Sequence, residues 1–283
     1  MKKYFKFISA ITCLSIIFLT FFGCFGGTSD EKTTGTTSPG IETVRVTFPE
    51  GFTTAKIAER LEENGVCKAE DFINAVNAYE GELLPENPQS RPYLLEGYVF
   101  PDTYDFYVGE SADSVLKRFL SNFSNRITES DKSRAQELGY TVDEILIIAS
   151  IIQKEASIQS EMADVSSVLH NRLNSSTRLE CNVTFEYVTD TLVPFLASEE
   201  VPDGGSADAE KIKEQYYDLY NTYRFKGLPA GPLCNPGYEA ITAALRPNDT
   251  DYLFFFTDKD NLYHYAKTYS EHCDLIDEYG LLK

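Results

Sequence analysis

An α+β fold is predicted for this 283-residue chain by three patterns in its sequence. Residues 42–49 alternate apolar and polar side chains with period two, as a strand does, and two short helical patterns follow directly. Residues 141–157 hold an apolar run too continuous for a surface helix. Residues 252–266 read as two strands around a Lys259-Asp260-Asn261 turn, a hairpin near the end of a mostly helical chain.

In chain order, Val44, Val46 and Phe48 share the apolar face of the first strand. Glu50-Gly51 turns the chain, and Thr53 or Thr54 caps a helix with Ile57, Ala58 and Leu61 inward. Gly65 closes that helix, and a second one runs from Asp71 to Ala78 with Phe72, Ile73 and Val76 inward. A strand-helix-helix unit this small needs a companion strand or a partner surface to be stable. Residues 93–107 are rich in aromatics, broken into turns and short strands by Gly97 and Pro101; aromatic side chains in such a segment are more often core than sugar platform. Helices are expected at Ser111 to Asn125, Ile127 to Leu138, Thr141 to about Ser157, and Met162 to Leu173. The third begins with a capping box, Thr141 with Glu144 three residues on. Beyond it lie mixed segments, a long acidic loop from Ser198 to Glu210, a turn-rich stretch from Gly227 to Gly237, and a helix from Gly237 to Leu245 that leads into the hairpin.

Charge is split sharply along the chain. The first 27 residues hold three lysines (Lys2, Lys3, Lys6) and no acid, leaving 22 basic against 44 acidic residues in the rest. So acidic a body repels nucleic-acid phosphates, which excludes a nucleic-acid partner, and it repels anionic lipid head groups as well. The apolar fraction of 42% with 18 Tyr and 19 Phe excludes disorder for most of the chain. Basic residues followed by an apolar run from Phe7 to Phe22 mark an export signal or membrane anchor at 1–27, with the body sent to the outer face of the membrane. Cys24, after Gly23, is where a lipoprotein signal peptide is cut and lipidated, so lipidation and an uncleaved single span both stay open. Residues 28–41 form a flexible linker. Of six cysteines, four lie beyond the leader (Cys67, Cys181, Cys234, Cys273); none forms a CxxC pair, which argues against structural zinc, and disulfide pairing stays open.

Among residues that could carry chemistry, Glu155 stands out. It shares a face of the apolar helix with Ile148 and Ile152, and burial there raises a carboxyl pKa toward neutrality. A carboxylic acid that is neutral near pH 7 is what protonating a glycosidic oxygen requires. The plainer alternative is a helix end with Glu155 in solvent beside Lys154. Glu96, in the aromatic segment, reads first as a turn residue accepting backbone N–H groups. Asn171-Arg172 with Arg178 form a basic island whose arginines pair with local carboxylates or bind substrate. His264 and His272 lack a third ligand at metal-site spacing. No GxSxG, Walker-type or GxGxxG element is present, and no cofactor is expected.

Taken together, several motifs resemble the YceG-like family (MltG), the endolytic murein transglycosylases. They are Leu95-Glu-Gly-Tyr-Val-Phe-Pro-Asp-Thr-Tyr104, Ala149-Ser-Ile-Ile-Gln-Lys-Glu-Ala156, Ser167-Val-Leu-His-Asn-Arg-Leu173, Tyr220-Asn-Thr-Tyr223, Gly227-Leu-Pro-Ala-Gly-Pro232, Asn235-Pro-Gly237, and the stretch from His264 to His272. The resemblance implies a LysM-like module at 42–90 and a mixed α+β catalytic domain at 91–283, behind a membrane anchor. It implies that Glu155, the second acid of the family's Glu-Lys-Glu segment (here Gln153-Lys154-Glu155), is catalytic. Substrate contacts follow for Glu96 and His264, for Asn171, Tyr220, Asn221 and Thr222 near the developing charge, and for Arg172 and Arg178 at stem or lactyl carboxylates. One segment departs: the family's pattern of Leu-Gln-Ser-Asp-Pro-Thr reads Leu179-Glu-Cys-Asn-Val-Thr184 here.

The activity so implied is a lyase reaction that needs no water. Glu155 protonates the oxygen between N-acetylmuramic acid and N-acetylglucosamine, then takes the proton of the muramoyl C6 hydroxyl as a 1,6-anhydro ring closes. The implied partners are peptidoglycan strands near the membrane and the synthases that make them. Two other readings remain: a glycan-binding lipoprotein without catalysis, and a hydrolase using Glu96 or Glu180 as second acid.

Overall fold

In the computed structural model, which describes residues 42–85, 87–198 and 209–280, the period-two segment forms strand β1 (Thr43–Thr47). The companion strand it needs is β2 (Thr103–Tyr107), paired antiparallel with Val44 opposite Phe106 and Val46 opposite Tyr104. Between them lie α1 (Thr54–Glu63), capped by the Thr53 side chain, and α2 (Ala69–Asn77); α3 (Ala112–Arg126) packs on α2. The rings of Phe48, Tyr104, Phe106 and Phe72 converge on Phe119 at centroid distances of 4.5–5.9 Å. The aromatic segment is therefore core, as its composition suggests: Tyr93, Tyr98, Phe100 and Phe106 are all buried. Because β1 pairs with residues 103–107, backbone hydrogen bonds run across residue 90, and Ile41–Lys283 cluster as one compact unit. The expected anchor (1–27) with Cys24, the linker up to residue 41, and residues 199–208 of the expected acidic loop lie outside the described residues. Among the described residues no helix is long and apolar enough to cross a membrane.

The remaining helices gather around α5 (Val142–Glu155). It follows α4 (Glu129–Leu138), whose turn into α5 is made by Gly139 at φ 83°, and it opens with the anticipated capping box of Thr141 and Glu144. Every residue from Ile145 to Ile152 is buried, so α5 is a central helix clothed on all sides. Helix α6 (Met162–Asn174) covers one flank. A helical run then forms where the sequence reads as mixed: α7 (Asn182–Glu186), a π-helical turn (Tyr187–Leu192) and α8 (Val193–Ser198), followed by α9 (Ala209–Tyr220). Helix α10 (Tyr238–Leu245) packs along α5; its Ala240, Ala243 and Ala244 are small enough to let the two backbones approach closely. The hairpin forms as anticipated from β3 (Phe254–Thr257) and β4 (Tyr263–Ala266), with Phe255 opposite Tyr265. Helix α11 (Tyr269–Glu278), absent from the sequence reading, ends the described chain.

Buried polar groups tie the parts together. Arg91 and Asp143, both buried, form a bidentate pair at 2.5 and 3.0 Å, and the Tyr98 hydroxyl donates to Asp143 at 2.7 Å. Gly97 sits at φ 91°, its N–H donates to Asn235 Oδ1 at 2.9 Å, and a Cβ placed there would meet the Pro232 ring at 2.6 Å. Gly97→Ala is therefore expected to destabilise the fold by about 3 kcal/mol, combining a left-handed backbone penalty with overpacking against a rigid ring. Chemical denaturation measures it; an unchanged midpoint would contradict this packing.

Candidate active site

Helix α5 ends at Glu155 because the Tyr263 hydroxyl, reaching from β4, donates to the Glu155 carbonyl at 2.9 Å and accepts from the Ser157 N–H at 2.9 Å. One more turn of helix is thereby blocked, and the Glu155 side chain lines a cleft of about 360 Å³. The opposite wall is the 179–182 segment leading into α7. The Cys181 thiol and the Val183 backbone N–H lie near the Glu155 carboxyl and favour its charged form. Burial of the carboxyl, first, and repulsion from Glu186, second, outweigh these donors and push the Glu155 pKa up to about 7. The alternative of a solvated helix end does not hold.

The wall is braced from behind. Glu180 adopts φ 55°, a left-handed conformation rare for a residue with a side chain. Its carboxylate accepts from Arg172 Nη1 at 3.1 Å and pairs with Arg178 Nη2 at 3.4 Å. Arg172 is buried and also donates to the carbonyls of Leu253, Arg178 and Leu179, at 2.6, 2.8 and 3.0 Å. Arg178 is exposed and donates to the Tyr223 carbonyl at 2.9 Å. Thr222 closes the brace, its hydroxyl accepting from the Cys181 N–H at 3.1 Å and meeting Thr184 Oγ1 at 3.0 Å.

Of the residues singled out in the sequence, Glu155, Arg172 and Glu180 line this cleft; Arg178 and Thr222 stand just behind its wall. Asn171, Tyr220, Asn221, His264 and Glu96 are not among its lining residues. The Asn171 amide donates to the carbonyls of Thr250 and Tyr252, at 2.9 and 3.0 Å. Tyr220 is buried against Tyr187, with centroids 5.1 Å apart, and Asn221 Oδ1 accepts from the Tyr223 N–H at 3.0 Å. His264 meets Asp258 at 2.8 Å and packs on Phe256 and Tyr279. Glu96, 1% exposed, accepts from Thr54 N–H, Thr54 hydroxyl and Asn235 amide at 2.9–3.0 Å, and from the Tyr187 hydroxyl at 3.4 Å. Glu96 is thus neither a local turn acceptor nor a substrate contact but the acceptor of a buried long-range network.

Sequence reasoning gave no site role to the residues that complete the cleft: Asn182, Phe254, Phe255, Tyr269 and His272 at its surface, and Glu186 near Glu155. Helix α11 had a visible signal, the Thr268-x-x-Glu271 capping box, which forms with Glu271 N–H donating to Thr268 at 3.2 Å. The segment that departs from the resembled pattern, 180–183, proves to face the acid directly. The four cysteines whose pairing the sequence left open are free thiols.

Glu186 supplies a direct check on this electrostatic arrangement. Glu186→Gln removes a neighbouring negative charge, so the Glu155 carboxylate becomes easier to form and its pKa falls. An activity that requires protonated Glu155 then loses its alkaline limb at lower pH, with a roughly two- to fivefold lower rate at pH 7. The pH dependence of initial rates shows this, and an unshifted limb refutes it.

The YceG-like family model matches residues 28–278. The chain is 31% identical over 252 residues to the endolytic murein transglycosylase of Bacillus subtilis (strain 168), covering 83% of this chain and 65% of that protein. It is 27% identical over 266 residues to the endolytic murein transglycosylase of Streptococcus pneumoniae serotype 2 (strain D39 / NCTC 7466), covering 87% and 45%. The chain thus spans less than two thirds of the length of either relative. Its fold is similar to the 2.6 Å crystal structure of a protein from Listeria monocytogenes described as yceG-like, with a TM-score of 0.66, 28% identity, and coverage of 83% of this chain and 76% of that one.

Proposed function

Since this chain belongs to the YceG-like family, we propose that it is a lytic transglycosylase that cleaves within peptidoglycan strands, with Glu155 as its one acid and base. The observation that carries this reading is the state of the Glu155 carboxyl: in the cleft, with a pKa of about 7. A single group that first gives a proton and then takes one works best when its pKa lies near the working pH. Protonated Glu155 donates to the oxygen bridging N-acetylmuramic acid to N-acetylglucosamine, and the bond from that oxygen to the muramoyl C1 breaks. Positive charge develops at C1. The carboxylate so formed removes the proton of the C6 hydroxyl, O6 bonds to C1, and Glu155 returns to its starting form. No water enters the balance.

The other carboxylate lining the cleft, Glu180, has its oxygens held by Arg172 and Arg178, which argues against a free nucleophile or water-activating base. Glu96 is sealed in the interior and reaches no substrate. Asn182 and Tyr223, joined by a 2.7 Å hydrogen bond at the rim, are the polar side chains best placed to orient sugar hydroxyls. The leader and the linker through residue 41 support attachment to the membrane with the acidic body outside. A linker that short confines the cleft to strands near the bilayer, and makes peptidoglycan synthases its natural neighbours.

Mass spectrometry of purified glycan strands after incubation with the protein tests the reading. The expected products end in 1,6-anhydro-muramic acid. Reducing-end muramic acid would point to a hydrolase, and uncut strands to a binding protein; either result overturns the proposal.

A further inference from the structure

The cleft extends beyond the acid to an aromatic end that the chemistry above leaves unused. Tyr269, the first residue of α11, is 68% exposed, more than any other large hydrophobic side chain among the described residues, and it lines the same cleft as Glu155. Single exposed tyrosines are ordinary, but this one is held in place. Its ring packs against Phe254 with centroids 5.9 Å apart and lies 6.4 Å from His272. Phe254 in turn lies under the Arg172 guanidinium at 4.8 Å. The contacts from Tyr269 to Phe254, Arg172 and Glu180 lead back to the wall that faces the acid, so the aromatic face belongs to the same groove.

The chemistry of this end selects its occupant. An exposed aromatic face with a polar edge fits a pyranose ring, which offers one apolar face of C–H groups and hydroxyls around its rim. Among the described residues lining the cleft, Arg172 is the one permanent cation, and its Nε and Nη1 donors are taken by three carbonyls and Glu180. Burial and the nearby Arg172 charge both lower the His272 pKa, which disfavours a cation there. Because Glu180 already pairs with Arg172, a carboxylate-bearing sugar would have to compete with it for that cation, whereas an uncharged sugar does not.

We propose that Tyr269 and Phe254 form a stacking subsite for an uncharged N-acetylglucosamine ring. The subsite deepens, and rests on, the reading of the protein as a glycan-strand enzyme. Its test uses the full-length chain carrying Glu155→Gln, with chitotetraose, an uncharged N-acetylglucosamine tetramer, as probe in calorimetric titration. Adding Tyr269→Ala is expected to weaken binding about tenfold, whereas Tyr269→Phe keeps it within about twofold. Because the side chain is exposed, both variants should fold as the parent does, which circular dichroism checks. Equal affinity with and without the ring overturns the subsite, as does failure of the Glu155→Gln chain to bind the tetramer. The two readings fail separately: strands cut to anhydro ends with Tyr269-independent binding reject only the subsite, while Tyr269-dependent binding without anhydro products rejects only the lyase.

Discussion

Glu155→Gln should lower the release of soluble fragments from purified peptidoglycan by about 10²–10⁴-fold, the usual contribution of a positioned general acid and base. Glutamine keeps the shape and both hydrogen-bonding atoms of the side chain, but it has no proton of the right acidity to give and no carboxylate with which to take one back. The fold should persist, because the side chain is only partly buried and its charge is opposed by Glu186. The thermal midpoint is therefore expected to stay level or rise slightly while cleavage is lost. In the wild type the pH profile follows from the same carboxyl. Only the protonated form can donate, so activity should fall as pH rises through about 7, where burial and Glu186 place the Glu155 pKa. Undiminished cleavage by Glu155→Gln would remove Glu155 from the mechanism. A profile flat from pH 6 to 8 would mean that its proton is not the one transferred.

The second large effect concerns stability. Glu96→Ala should destabilise the fold by about 3–5 kcal/mol, because it strips the acceptor from a buried network. Thr54 N–H, Thr54 hydroxyl and the Asn235 amide would lose their shared partner at Oε1. The Asn235 amide cannot turn to compensate, since its Oδ1 already accepts from the Gly97 and Val99 N–H groups, both at 2.9 Å. Glu96→Gln should cost far less. Its carbonyl can replace Oε1, and its NH₂ can donate to the Tyr187 hydroxyl, which now faces Oε2 at 3.4 Å. The pH dependence separates the two further. Burial raises the Glu96 pKa to about 7 in spite of its donors. A carboxyl whose folded pKa exceeds its unfolded one makes a contribution to stability that is complete below about pH 4.3 and is lost as pH rises through 7. Glu96→Gln should abolish this component of the stability-against-pH curve, so that the variant compares most favourably with the wild type above pH 7. Denaturant titrations at pH 5 and pH 8 measure it; equal losses for Gln and Ala would show that charge, and not hydrogen-bond geometry, holds the network.

These two glutamates also mark how far the sequence is legible. Glu155 could be found because helix periodicity is local: its spacing from Ile148 and Ile152 puts it on a buried face whatever surrounds the helix. Glu96 reads locally as a turn acceptor, but its partners at Thr54, Tyr187 and Asn235 are 42, 91 and 139 residues away, and no local pattern reports them. The same separation explains Asn171 and Tyr220, while His264 is taken up within its own hairpin. Each carries a polar group within a motif-bearing stretch, and each spends it on the Thr250 and Tyr252 carbonyls, on Asp258, or in a buried ring pair outside the cleft. The run from 182 to 198 reads as mixed because its turns pass from α-helical to π-helical, which breaks the 3.6-residue period on which recognition depends.

What the sequence determined alone was the set of elements with strong local codes: the period-two strand, the capped apolar helix that delivers Glu155, the terminal hairpin, and a family resemblance carried by ordered motifs. The tertiary structure decided what those elements meet. β1 found its partner beyond residue 90, the divergent 180–183 segment came to face the acid, and an unforeseen helix brought Tyr269 to the groove. The reason is physical. Secondary structure is set by contacts a few residues apart, whereas the Glu155 pKa depends on desolvation and on a charge delivered by a helix distant in sequence, quantities that do not exist until the chain has packed.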